Sequence, residues 1–288
     1  MLRKSLCQSK YKLNIAVLDM PSVCFSNFGA AHHYSINLIN NSRMHRLYEF
    51  QEKERDMIIE TMWIHSEDVM NGIKVWTEFV RELFLMPIYI VDMELIKNVQ
   101  HIDWLKTQTT RIENCVLRSC ENVTVDSDVN YFLNSFEMIR ICRVKARISE
   151  NCILHLPLSL SYLVVDHSEC IQFSQLMRLN CETICLKETR FTGEELNMFL
   201  KSWMSSKSHW KLIHFQVLIE SRHSFEDILD LPHEVMDPHM KRVIKRGEQV
   251  SEVNGGIDIR RTSDGKIGSI FMDRKPKYSS IVMAAHFN

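Results

Sequence analysis

Glycine and proline are scarce in this chain, 8 and 6 among 288 residues. So few breakers argue against flexible linkers and low-complexity tails. An excess of either charge is missing too, with 35 Lys and Arg against 36 Asp and Glu. A chain without a long-range field has no electrostatic means of recruiting nucleic acid or an anionic membrane, so neither is an expected partner. Long apolar runs are also missing. The longest, from Leu83 to Val91, is broken by Pro87 and falls far short of the ~20 residues a membrane span needs. The basic start at Arg3 and Lys4 is followed by no apolar block or small-residue cleavage site, so no secretory leader is expected.

Signatures of chemistry are missing as well. No G-x-S-x-G, Gly-rich phosphate loop, H-E-x-x-H or kinase motif set occurs. The nine cysteines include no C-x-x-C; the closest pairs are Cys115–Cys120 and Cys181–Cys185. Several stand where a strand needs an apolar residue, and a thiol behaves there as a small hydrophobe. Reduced thiols in the cytoplasm or nucleus are the expectation. Asp166, His167 and Ser168 are the residue types of a triad, but consecutive residues cannot take nucleophile, base and orienter positions. No catalytic residue, metal ligand or cofactor is expected. An enzyme would need a deep pocket with convergent titratable groups, and none is expected at the strand ends.

What the chain does have is a recurring apolar spacing: one residue, two between, a second, one between, a third. It appears as Ile112–Cys115–Leu117, Phe136–Ile139–Ile141, Leu160–Leu163–Val165, Cys181–Ile184–Leu186 and Leu212–Phe215–Val217. The last member advances from 117 to 141, 165, 186 and 217, steps of 24, 24, 21 and 31. A period in the twenties predicts an α/β fold: a leucine-rich-repeat-like stack of strand–helix units. Such a stack ordinarily holds another protein.

The flanks read differently. An N-terminal α+β region is expected over residues 11–105, less regular than the rest. It has short strands near 14–18, 34–39, 57–64 and 88–91, a charged helix over 43–55, and an amphipathic helix carrying Ile73, Trp76, Val80 and Phe84. Residues 106–288 form the repeat-like domain. Within it, Thr192-Gly-Glu-Glu195 fits a capping box, and Leu196, Phe199, Leu200 and Trp203 make one apolar stripe. Pro238 to Arg246, bearing Lys241, Arg242, Lys245 and Arg246, reads as a solvated helix face in preference to a nuclear address or phosphate patch, and Ile257 to Met272 as a β-hairpin capping the stack. On the rungs the intervening residues face outward, which makes Arg118, Arg140, Asp166, Lys187 and Gln216 the candidate partner-binding positions.

Three segments carry a family resemblance. The stretch from Thr192 to Trp203, followed by the strand Leu212 to Val217, resembles the most typical segment of the type 2 F-box-associated domain. In that family a threonine-led helix bears an Asn, an apolar pair, a Lys and a Trp. Phe173 to Leu186 fits its helix–strand unit, and Gly255-Gly256, Asp258, Ile259, Arg261, Asp264 and Gly265 are similar to its close. The likeness runs loosely from about residue 70 to the end and is strong over 170–220 and 255–272. It implies a non-catalytic substrate-recognition component of a ubiquitin ligase, with a Skp adaptor, a cullin and a protein substrate as partners. Members usually carry an N-terminal F-box. Here Lys4 to Lys10 resembles only the tail of one, so residues 1–10 read as an F-box remnant. The alternative is a scaffold or competitor binding protein outside ubiquitination.

Overall fold

The computed structural model describes residues 11–18, 20–27, 32–41, 43, 48–53, 57–95, 99–120, 122–158, 160–220, 225–239, 241–246, 249–274 and 278–286. The F-box remnant expected at residues 1–10 lies outside them. The chain is a mixed α/β protein with two compact units, residues 1–120 with 134–139 and residues 121–133 with 140–288. Among the described residues no helix is long and apolar enough to cross a membrane.

The first unit runs β1 (Tyr11–Val17), β2 (Ser22–Asn27), β3 (His32–Ile39), β4 (Tyr48–Lys53), β5 (Met57–His65), α1 (Val69–Phe84), β6 (Ile88–Glu94), α2 (Val99–Gln108) and β7 (Arg111–Arg118). Its strands lie in the order β7-β6-β1-β2-β3-β5-β4. β7, β6 and β1 are parallel, and β2 returns antiparallel. Leu13, Ile15, Val17 and Val23 alternate into the core, as a half-buried strand requires. Ile73 and Val80 of α1 are buried too, and the Phe25 and Phe84 rings lie 5.4 Å apart. Of the helix expected over 43–55, only residues 43 and 48–53 are described, and the latter are not helical. Residues 48–53 are β4, antiparallel to β5. Tyr48, Glu49, Phe50 and Gln51 alternate apolar and polar, and β5 supplies backbone partners that override local helix propensity.

The second unit contains α3 (Asp126–Ser135) and β8 (Glu137–Val144), each except for its residues within 134–139, and then β9 (Tyr162–Val165), α4 (Phe173–Leu176), β10 (Thr183–Leu186), α5 (Gly193–Met204), β11 (His214–Glu220), α6 (Phe225–Ile228), β12 (Glu234–Val235), β13 (Lys241–Arg246), β14 (Gln249–Asn254), β15 (Ile257–Arg260), β16 (Ile267–Arg274) and β17 (Tyr278–His286). β8, β9, β10 and β11 are consecutive parallel neighbours. β17, β16, β15 and β12 extend the sheet antiparallel. The hairpin expected over 257–272 forms as β15 and β16, but Lys241–Arg246 is a strand, paired with β14. Its partner Gln249–Asn254 supplies the backbone bonds that a lone polar helix would have to make within itself.

Leu163, Val165, Ile184, Leu186, Phe215 and Val217 all point inward and are buried, so the apolar spacing holds for β9, β10 and β11. It slips by one residue at β8. There Met138, Cys142 and Val144 are buried while Ile139 and Ile141 are half-buried. Pairing places Cys142 opposite Leu163 and Val144 opposite Val165. A side-chain period of two inverts both faces when the register moves by one, so the outward place expected of Arg140 belongs to Arg143, opposite Val164.

α5 covers the inner face. Thr192 caps it, its hydroxyl accepting from the Glu195 N–H at 3.1 Å while the Glu195 carboxylate accepts from the Thr192 N–H at 2.9 Å. Thr192→Ala removes that cap and is expected to cost about 1 kcal/mol in a denaturant melt. Phe199 stacks on Phe215 at 4.3 Å. Trp203 is fully buried, with Arg261 over its ring at 5.2 Å. Gly268 makes room for it, since a Cβ there would lie 3.1 Å from the Trp203 ring and 2.6 Å from the Met283 methyl.

Candidate functional site

With helices on the inner face, the intervening residues of the second unit's rungs form aligned outer rows. One row runs Arg143, Val164, Cys185 and Gln216 across the parallel strands, then Val282 and Phe271 across β17 and β16. Arg143 is exposed and lies over the Tyr162 ring at 5.5 Å. At the other end the row sinks into a cavity of about 830 Å³. Gln216, Leu218, Ser280, Val282 and Phe271 floor it, and Val235, Met236, Val253, Gly255 and Gly256 are among its walls.

Local chemistry sets those walls. Gly256 has φ +96, and a Cβ on it would meet the Ile270 carbonyl oxygen and the Phe271 ring at 2.8 Å. Only glycine allows this close approach to β16. Asn197 on α5 is buried and donates to the carbonyls of Ile228 and Asp230 at 3.0 and 2.9 Å. It thereby fixes Leu229, another lining residue. Arg261 holds the turn after β15 through a two-pronged bond to Asp264, at 2.9 and 2.6 Å, and a third bond to the Trp210 carbonyl at 2.8 Å. These are the Asn, Gly-Gly and Arg–Asp features of the family-like segments; the first two shape the cavity, and the third fixes the far end of the β15–β16 hairpin.

The size suits a ligand or a few partner side chains. Among the described residues the lining is apolar apart from Gln216, Asn254, Ser280 and backbone, and it holds no titratable side chain. Burial pushes the thiols of Cys170 and Cys181 up to about 12, where they stay protonated and inert. The Ser168 hydroxyl donates to the Lys187 carbonyl at 2.6 Å, not to the neighbouring His167.

The five expected partner-binding residues have separate fates. Gln216 lines the cavity. Asp166 and Lys187 pair with each other at 2.8 Å across β9 and β10. Arg140 is displaced from the outer row as described. Arg118 lies in the first unit, where its guanidinium grips Asp92 at 2.6 and 2.8 Å and has its pKa raised further by that bond. The cavity itself left no trace in the sequence pattern, because its walls come from the hairpin regions after residue 229, where no period repeats.

Residues 151–217 match the family model described as F-box associated (FBA_2). The matched stretch runs from the turn before β9 into β11. The resembling close at 255–272 lies beyond the matched range. No curated protein and no solved structure matches the chain significantly.

Proposed function

We propose that this chain is a non-catalytic protein-interaction module, the substrate-recognition component of a Skp–cullin–F-box ubiquitin ligase, working in the cytoplasm or nucleus. The observation that carries this reading is the F-box associated match over 151–217. Its strands supply the outer rows that lead into the uncharged cavity. In this reading the parallel strands are a leucine-rich-repeat-like stack, the rows grip an extended face of the substrate, and the cavity takes its apolar side chains. The module makes no bond itself. It raises the concentration of the bound protein near the conjugating enzyme.

Affinity purification of the chain from its own cells, with mass spectrometry of what is retained, tests the reading. Recovery of a Skp adaptor and cullin with a substrate supports it. Repeated capture of a protein without adaptor or cullin supports the alternative, a scaffold or competitor that binds without delivering to a ligase.

Arg143→Glu and Leu218→Glu are expected to lower recovery of the captured protein about tenfold, a central interface residue being worth ~1.4 kcal/mol or more. The first should leave the melting temperature unchanged, since Arg143 is exposed. Undiminished capture by both variants, measured by quantitative pull-down, removes the outer face as the binding surface.

A further inference from the structure

Three metal-ligating side chains converge where β9 and β10 end. His167 and Glu169 stand on the turn leaving β9, and Glu188 stands on the turn leaving β10. One ligand atom from each lies within 4.8 Å of the others, and His167 Nδ1 is 2.8 Å from Glu188 Oε2. The first and last are equivalent positions on successive rungs. Each is two residues past the final inward residue, Val165 or Leu186, and the pair repeats the 21-residue step from 165 to 186.

The backbone under these groups is held on both sides. Ser168, between the first two, is fully buried. Its N–H and its hydroxyl both donate to the Lys187 carbonyl, at 3.0 and 2.6 Å. Thr189, after Glu188, donates both its N–H and its hydroxyl to the Leu218 carbonyl, each at 3.0 Å. Glu188 sits between these anchors at φ +56. The basic residues beside it turn elsewhere, Lys187 to Asp166 and Arg190 to Glu150. Two carboxylates therefore converge on one imidazole, an arrangement relieved by a cation among them.

We propose that His167, Glu169 and Glu188 form a site for a divalent transition-metal ion of the zinc class. One imidazole nitrogen and two carboxylate oxygens are a ligand set such ions accept, with water completing the shell. The ~2.0–2.2 Å bonds of such a site need the three groups to draw together by side-chain rotation alone, because the turns that carry them are already fixed. The bound ion would clip two successive turns of the stack at its edge, beside the Asp166–Lys187 pair.

Titration of the full chain with Zn2+ by isothermal calorimetry, under reducing conditions, tests the site, and the Co2+ form reports the ligand type. Saturable binding at one equivalent is expected, weakened at least about tenfold in His167→Ala and in Glu188→Gln, since loss of even an outer-shell partner costs 10–100-fold. Glu169→Gln should weaken it likewise. All three side chains are only half-buried, so the variants should keep the parent melting curve. The Co2+ spectrum should lack a thiolate charge-transfer band. No saturable binding, equal affinity in all three variants, or a thiolate band placing the metal on cysteines would each overturn the proposal.

Discussion

Trp203→Ala is expected to destabilise the second unit by ~3–5 kcal/mol, the usual cost of emptying a large aromatic site. Trp203 is fully buried on α5, and three independent features close around it. Phe199, one turn earlier, stacks on Phe215 and anchors the helix to β11. Gly268 lets β16 come close enough for contact. Arg261 lies over the ring and is itself held by Asp264 and the Trp210 carbonyl. The space cannot collapse readily, because β16 is paired along both edges, to β15 and to β17. Urea melts of the wild-type and variant chains measure the loss. A difference below ~1 kcal/mol, the range of exposed sites, would mean that Trp203 is not a core residue and that the packing of α5 on β16 is wrong.

Acid should weaken the same unit through one histidine. His209 is 1% exposed. Its Nε2 donates to the Leu176 carbonyl at 2.9 Å, and its Nδ1 lies 2.7 Å from the Ser208 hydroxyl, from which the neutral ring accepts. The ring also meets Phe199 edge-on at 4.6 Å. Burial disfavours the imidazolium and lowers the pKa from 6.5 to about 4. Between those values the unfolded chain binds a proton that the folded chain refuses, so stability falls as pH drops through this window and is fully present above it. The full shift corresponds to roughly 3 kcal/mol. Asp264, which the Arg261 bond holds down at about 2 from 3.8, contributes its own acid dependence below that window.

His209→Gln keeps a donor toward the Leu176 carbonyl and removes the titration. The variant should be less stable than wild type at pH 7.5 but lose less between pH 7.5 and 4.5. Urea melts at the two pH values give that difference, and a nuclear magnetic resonance titration of the His209 ring gives its pKa directly. A ring that titrates near 6.5 would place His209 in water and end the argument.

The helix at Thr192 was legible because every signal for it is local. The capping pair is three residues apart, the apolar stripe repeats at helical spacing, and the cap forms as read. The rungs at β9, β10 and β11 were legible for a related reason. Each buries its apolar residues at a spacing that a short strand between loops fixes by itself. At β8 the same spacing misled. Phe136, Ile139 and Ile141 fit the pattern as well as Met138, Cys142 and Val144 fit the alternation, and the two choices differ by one residue. Only pairing with β9 decides between them. β4 and β13 were misread for want of their partners, since charged segments of this kind become strands when a neighbour supplies the hydrogen bonds.

The amino-acid sequence by itself determined the strand–helix alternation of residues 160–220, the capped helix and the likeness of that stretch to the F-box associated family model, because these depend on patterns within a few residues. Tertiary structure alone decided the register of β8, the replacement of Arg140 by Arg143 on the outer row, the cavity around Gln216 and Leu218, and the meeting of His167 with Glu188. Each of these joins groups far apart in the chain. Such neighbours are chosen by the pairing of backbones and the filling of a shared core, which no single segment encodes.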